Sequence, residues 1–323
     1  MIVITGGAGF IGSAIAWRIN NQGKDDIIIV DELGHTEKWK NLVTLNYQDF
    51  INKDEFIKQI ESGVKLGIEA IIHMGANSST TEKDADYLIN NNYEYTKKLA
   101  KYCVENNIRF IYASSAATYG DGSLGFNDEE KICQSLRPLN MYGYSKNLFD
   151  VWAIKYGIID KIVGLKYFNV FGPNEYHKSD MRSVVHKAFE QIKSTGKVEL
   201  FKSRNPNYKD GEQKRDFIYV KDAVDMTLFF LKKKNKNGIY NIGSGKARTW
   251  NDLVTAIFKA LNKPVKIEYI ELPEYLVEKY QYFTEARIDK IKKAGYPHPI
   301  TSLEDGVIDY VKSFLLAGKH LGA

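Results

Sequence analysis

The chain has 323 residues, 44% of them hydrophobic, and a formal net charge of +5. That length can bury a sizeable core, as one large domain or two lobes, and no uninterrupted apolar run approaches the roughly 20 residues of a membrane span. The chain opens directly on Met1-Ile2-Val3-Ile4, with no basic segment and apolar stretch of a secretory signal. Its two cysteines, Cys103 and Cys133, make no framework, so the reducing cytoplasm is the expected compartment. The one dense basic run, Lys232-Lys233-Lys234-Asn235-Lys236, precedes an Asn237-Gly238 turn and reads as a solvated helix end, not a nucleic-acid surface.

In chain order, Ile2–Thr5 reads as a buried strand and Ser13–Gln22 as a helix. Asp26–Asp31 is a second strand, Asn52–Glu61 a helix, and Glu69–Met74 a third strand. Asp84–Asn106 shows apolar residues at helical spacing, among them Leu88, Tyr95, Leu99 and Cys103. Arg109–Ser114 is a strand, Ser145–Tyr156 a helix and Lys161–Phe168 a strand. This alternation predicts an α/β protein with a Rossmann-type, doubly wound parallel sheet. After Phe168 the rhythm breaks. A helix near Met181–Thr195, a polar loop Lys202–Lys214, strands Asp216–Val220 and Gly238–Ile242, a helix Trp250–Leu261 and a strand Val265–Ile270 follow. The expected division is a dinucleotide-binding domain of residues 1–168 plus about 216–247, interleaved with a smaller substrate-binding α/β lobe of about 169–215 plus 248–323.

Gly7-x-Gly9-x-x-Gly12, with Gly6 preceding it, follows a strand and opens a helix. Residues without a Cβ let backbone N–H groups approach a pyrophosphate at the helix N-terminus. Asp31 ends the second strand, near the spacing at which a carboxylate meets the adenosine ribose. Alone it favours a free 2′-hydroxyl, but Lys38 and Lys53 follow and either could neutralise a 2′-phosphate. NADP or NAD is therefore expected.

Ser114-Ser115-Ala116-Ala117 follows the strand ending at Ala113, at the carboxyl edge where open α/β sheets bind ligands. Tyr142 precedes Lys146 by four residues, so the two share one helical face. A neighbouring ammonium and a cationic nicotinamide would stabilise the phenolate of Tyr142 and make it a usable base. The Ser115 hydroxyl can orient the substrate oxygen.

These motifs resemble an extended short-chain dehydrogenase/reductase of the nucleotide-sugar epimerase and dehydratase group. Dehydratases of that group carry an Asp-Glu pair where Ala116-Ala117 stands here, which argues for epimerisation or reduction over elimination. His73 to Glu82, Asn91-Asn92-Tyr93, Tyr112 to Gly120, Phe168 to Pro173, His177-Lys178, Lys214 to Phe217 and Tyr280 to Thr284 are similar to the ADP-L-glycero-D-manno-heptose 6-epimerase family.

The resemblance implies Ser115, Tyr142, Lys146 and Lys178 as the catalytic set, with Lys178 as a second acid/base. Around a tightly bound NADP (NAD possible) it implies Gly6, Gly9, Phe10, Ile11, Gly12, Asp31, Glu32, Lys38, Lys53, Met74, Gly75, Ala76, Asn77, Ser78, Asn91 and Val170, along with Tyr142, Lys146 and Lys178. Around the substrate it implies Ser78, Ser115, Asn169, Asp180, Lys187, Phe201, Lys202, Ser203, Arg204, Arg215 and Tyr280. An ADP-sugar is the implied partner and a homo-oligomer is expected, with no nucleic acid, membrane or metal. Four places depart from the family pattern: Asp180 stands for a serine, Lys187 for a histidine, Glu32 for a neutral residue, and the loop Lys202–Lys214 is longer.

Overall fold

The structure is a computed structural model that describes residues 1–63, 67–277 and 280–323. Its strands are β1 (Ile2–Thr5), β2 (Ile27–Asp31), β3 (Asp49–Asn52), β4 (Ala70–His73), β5 (Arg109–Ser115), β6 (Val163–Tyr167), β7 (Asn169–Phe171), β8 (Val198–Phe201), β9 (Lys214–Tyr219), β10 (Gly238–Ile242), β11 (Ala247–Thr249) and β12 (Ile267–Ile270). Seven of them form one sheet in the order β10-β6-β5-β4-β1-β2-β3, every pair parallel. The order reverses between β1 and β4, which opens a crevice at their carboxyl ends. Two small sheets lie apart, β11-β9-β7 and β12-β8.

The apolar runs explain the large sheet. Val3, Ile4, Ile27, Ile29, Ile71, Ile72, Phe110 and Ile111 have no exposed surface at all. Strands covered on both faces need such continuous runs and not alternation, and each buried isoleucine contributes about 1.5–3 kcal/mol. The principal helices are α1 (Phe10–Asn20), α2 (Lys53–Glu61), α3 (Ala85–Leu88), α4 (Tyr95–Glu105), α5 (Met141–Lys155), α6 (Val184–Thr195), α7 (Val220–Lys232) and α8 (Trp250–Ala260). Among the described residues no helix is long and apolar enough to cross a membrane.

Several boundaries differ from the sequence expectations. α1 starts at Phe10, three residues early, since Gly9 serves as an extended N-cap. α5 starts at Met141, not Ser145, because the Asn140 side chain accepts from the Gly143 N–H and caps the helix there. The long helix expected over Asp84–Asn106 is interrupted by a π turn, Ile89–Glu94. β9 begins at Lys214, so Arg215 lies in a strand, and α7 ends at Lys232, where the basic run was read as a helix end. Both cysteines are buried; burial pushes the Cys103 thiol well up and that of Cys133 to about 11.

Candidate active site

One large cleft, about 1470 Å³, runs over the carboxyl ends of β1, β4 and β5. Its floor is the turn after β1. Gly6 has φ +66°, and a Cβ there would stand 2.5 Å from the Gly75 nitrogen, so only glycine allows the β1 and β4 turns to close on each other. Gly9 gives α1 no side-chain cap, which leaves the first N–H groups of that helix free for an anion. Asp31, at the end of β2, accepts from the Ala8 N–H (2.9 Å) and the Glu32 N–H (2.7 Å) and pairs with Lys38 (2.7 Å). This cradle fits a dinucleotide: a glycine turn that excludes side chains, an uncapped helix and a carboxylate beside them.

A polar network fixes the next wall. The π turn presents Asn91 and Asn92 inward. Asn92 is wholly buried; its amide donates to the Asn77 carbonyl (2.9 Å) and to Ser145 Oγ (3.1 Å), and its oxygen accepts from the Asn77 N–H. Lys53 bridges Asn91 (3.0 Å) and Glu32 (2.8 Å). Lys53, Glu32, Asn77 and Asn91 thus form a supporting layer beside the cleft, while Gly6, Gly9, Phe10, Ile11, Gly12, Asp31, Lys38, Met74, Gly75, Ala76, Ser78 and Val170 line it.

The reactive groups converge from three elements. Ser115 ends β5, and its Oγ accepts from the Ala117 N–H (3.1 Å). Gly143 lets α5 touch this turn, since a Cβ there would stand 2.7 Å from the Ala117 carbonyl oxygen. Tyr142 on α5 thereby reaches Ser115, whose hydrogen bond lowers its pKa. Burial is the larger effect, and it raises the Tyr142 pKa overall. Lys146 is itself pulled to about 8 by burial, with the Asp150 carboxylate opposing.

Asp150 is fully buried and accepts from Ser114 Oγ (2.7 Å), the Tyr112 hydroxyl (2.9 Å) and Lys166 Nζ (3.1 Å). Such a satisfied network rigidifies the floor beneath Lys146. His73, hydrogen-bonded to Thr5 (2.5 Å) and Thr96 (2.8 Å), is held neutral by burial and by Lys146.

Lys178 reaches the same cleft from the segment after β7, with its ammonium 5.5 Å from the Phe10 ring centroid. Burial lowers its pKa and the buried Glu175 carboxylate opposes. Its neighbour His177 is lowered to about 4 by burial and by Lys178. Ala116 and Ala117 line the cleft beside Ser115, so these two places offer no acid for elimination.

At the far end Arg215, 7% exposed, is held between Trp250 (5.6 Å) and Tyr280 (5.4 Å). It donates to the carbonyls of Lys214 (2.9 Å) and Gln281, and burial brings it to about 10, so it stays charged at neutral pH. Among the described residues it makes no ion pair. Asn169, Arg215 and Tyr280 line the cleft. Asp180, Lys187, Phe201, Lys202, Ser203 and Arg204 do not. Asp180 is exposed, Phe201 ends β8, Ser203 hydrogen-bonds Asp210, and Lys202 and Arg204 pair with Glu271 and Glu274. Trp250, Gln281 and Arg182 line the cleft without having been singled out in the sequence. Only Gln281, inside the Tyr280–Thr284 stretch, carried a signal.

The NAD dependent epimerase/dehydratase family matches residues 2–243. An ADP-L-glycero-D-manno-heptose-6-epimerase of Nitratidesulfovibrio vulgaris is 54% identical over 318 residues, covering 98% of each chain. The chain belongs to the NAD dependent epimerase/dehydratase family, in the ADP-L-glycero-D-manno-heptose-6-epimerase group. The crystal structure of the Helicobacter pylori ADP-L-glycero-D-manno-heptose-6-epimerase superposes with TM-score 0.82 at 29% identity, covering 97% of this chain and 95% of that one. A Bacillus cereus UDP-glucuronic acid 4-epimerase, solved with UDP-glucuronic acid and NAD, gives 0.74 at 26% identity, covering 97% and 99%. Members of this family depend on a nicotinamide cofactor, which agrees with the cradle around Gly6 and Asp31.

Proposed function

We propose that this protein interconverts the C6 epimers of ADP-D-glycero-D-manno-heptose and ADP-L-glycero-D-manno-heptose with NADP held throughout. The observation that carries the reading is that Tyr142, on α5, and Lys178, on the segment after β7, line one cleft, supported by 54% identity to a relative of that name. The group that Gly6, Asp31, Lys38, Lys53 and Asn91 would hold supplies reversible hydride transfer at C6.

The side chains supply the rest. Ser115 orients the C6 oxygen. Tyr142 exchanges the hydroxyl proton in one orientation of the exocyclic carbon, and Lys178 does so in the other after rotation about C5–C6. Lys146 places a positive charge beside Tyr142. Arg215 takes the diphosphate in fork geometry. Lys38 and Lys53 favour the 2′-phosphate of NADP, although each is partnered by a carboxylate. A dinucleotide-binding domain of residues 1–168 plus about 216–247 and a substrate lobe from the remainder fit this division of labour, in a cytoplasmic homo-oligomer serving lipopolysaccharide core biosynthesis.

The test is incubation of the purified protein with each ADP-heptose epimer without added cofactor, followed by product NMR, with UDP-hexoses in parallel. Formation of the opposite C6 epimer is expected. Turnover of UDP-hexoses alone, or a need for stoichiometric NADP with ketone accumulating, overturns the proposal.

A further inference from the structure

We propose that Asn41, Asn174 and His320 form a clasp that sets the register of Lys178 against the nucleotide-binding loop, and so act as positioning residues for the second proton transfer. The inference rests on Lys178 being the second acid/base of the reaction proposed above.

Lys178 is carried on a segment with two non-glycine residues in the left-handed region, Asn174 (φ 78°) and Ser179 (φ 45°). Such conformations persist only where the surroundings determine them. At Asn174 the determinants are visible. The side chain is fully buried; its amide donates to Ser13 Oγ in α1 (2.9 Å) and its oxygen accepts from the Leu321 N–H (2.9 Å).

Asn41, 1% exposed, is the hub. Its amide nitrogen donates to the Ala8 carbonyl of the glycine turn (3.0 Å) and to the Asn174 carbonyl (3.0 Å), and lies 3.4 Å from His177 Nδ1. One NH₂ group therefore spans the loop that cradles the cofactor and the segment that carries Lys178. Its oxygen pairs with His320 Nδ1 at 2.7 Å, and an amide oxygen can only accept, so the ring nitrogen is the donor. His320 in turn packs on Tyr176, with centroids 4.8 Å apart. The Tyr176 hydroxyl donates to the Lys319 carbonyl (2.7 Å), and Thr44 donates to the Leu321 carbonyl (2.9 Å). Three stretches remote in sequence thus meet at the Asn41 amide, which holds the Asn174 carbonyl four residues before Lys178.

A purely stabilising clasp would slow every step alike when loosened. A clasp that positions Lys178 would slow only the half-reaction in which Lys178 exchanges the proton. The experiment starts from each C6 epimer separately and follows single-turnover reduction of the bound nicotinamide by its near-ultraviolet absorbance. Lys178→Met is the reference, and NADP affinity and melting temperature are measured beside it.

Lys178→Met is expected to slow one epimer at least about 100-fold more than the other. Asn174→Gly keeps the backbone conformation, since glycine adopts positive φ freely, and loses only the two side-chain bonds. It and His320→Leu are expected to reproduce the same asymmetry at about tenfold, with NADP affinity within about threefold of the parent. His320→Asn, which keeps an N–H donor near the position of Nδ1, is expected to restore symmetry. Equal slowing of both epimers, or none, in the folded His320→Leu and Asn174→Gly variants while Lys178→Met remains asymmetric overturns the clasp alone. Symmetry in Lys178→Met overturns the two-base reading and the clasp with it.

Discussion

Tyr142 and Lys146 stand one helical turn apart on α5, and burial moves their proton affinities apart, the phenol up from 10.0 and the ammonium down from 10.5 to about 8. The phenol therefore holds its proton, and a cationic ring beside it would favour the phenolate. The same burial makes the lysine a burden on the free protein.

The folded pKa of Lys146, about 8, lies below its unfolded value of 10.5, so the folded state binds fewer protons between those limits and stability rises with pH across that window. Below pH 8 the full cost is present, on the order of 3 kcal/mol for a shift of this size. Lys146→Met is therefore expected to abolish turnover yet to stabilise the cofactor-free protein at pH 7 by roughly 2–3 kcal/mol. That gain should shrink as the pH rises past 8 toward 10.5. Urea unfolding of both proteins across this range measures it; a variant less stable than the parent at pH 7 contradicts the argument.

Gly143→Ala tests how closely α5 must approach the Ser115 turn. The added Cβ would lie 2.7 Å from the Ala117 oxygen and 3.1 Å from its carbon, both backbone atoms that cannot swing aside. Either the helix or the turn must shift, and the Tyr142–Ser115 hydrogen bond lengthens. The expected result is a fall in kcat of roughly 10–100-fold and a loss of about 1–3 kcal/mol in stability, with KM little changed. Steady-state kinetics beside a melting curve decide it, and unchanged kcat removes the close approach from the mechanism.

How much of this was readable in the sequence depends on whether the signal is local. The parallel sheet was, because Ile27 to Val30 and Ala70 to Ile72 are uninterrupted apolar runs that end at polar turns. The glycine turn and the Tyr142/Lys146 pair were too, since each is a spacing within one element. Of α7 only the basic end at Lys232 was, because nine of its thirteen residues are buried and no single apolar stripe marks the rest as a helix. The π turn at Asn91 and Asn92 left the apolar periodicity intact and so was invisible. Asn41 was beyond reach altogether, since its partners Asn174 and His320 lie 133 and 279 residues away in sequence. Lys202 and Arg204, implied by resemblance to meet substrate, face glutamates instead, in a loop longer than the family pattern.

Cofactor preference should respond to Glu32. Its carboxylate pairs with Lys53 at 2.8 Å, and that lysine holds the Glu32 pKa below its usual value. Glu32 thus occupies an ammonium that would otherwise meet a 2′-phosphate. Glu32 is 55% exposed, so the pair is worth at most about 1 kcal/mol. Glu32→Asn is expected to raise the preference for NADP over NAD by about two- to fivefold, and Lys53→Met to lower it. Calorimetric titration of both dinucleotides measures the ratio, and a ratio unmoved by either change removes this pair from cofactor selection.

Arg215→Lys addresses the opposite end of the cleft. The guanidinium lies between Trp250 at 5.6 Å and Tyr280 at 5.4 Å while donating to the Lys214 and Gln281 carbonyls. Its plane satisfies two rings and two carbonyls at once and leaves charge facing the cleft. An ammonium has no plane to stack and no fork to share, so lysine keeps the charge but loses the orientation. ADP affinity is expected to fall about 10–100-fold, as for a lost bidentate, partly desolvated contact. KM for the ADP-sugar should rise in parallel and kcat should change less, because the diphosphate is remote from C6. Trp250→Leu should weaken ADP in the same direction by a smaller factor, since it frees one face of the guanidinium without removing it. NADP affinity should stay constant in both variants. An Arg215→Lys protein that binds ADP as tightly as the parent would place the diphosphate elsewhere in the cleft, which Arg182 also lines.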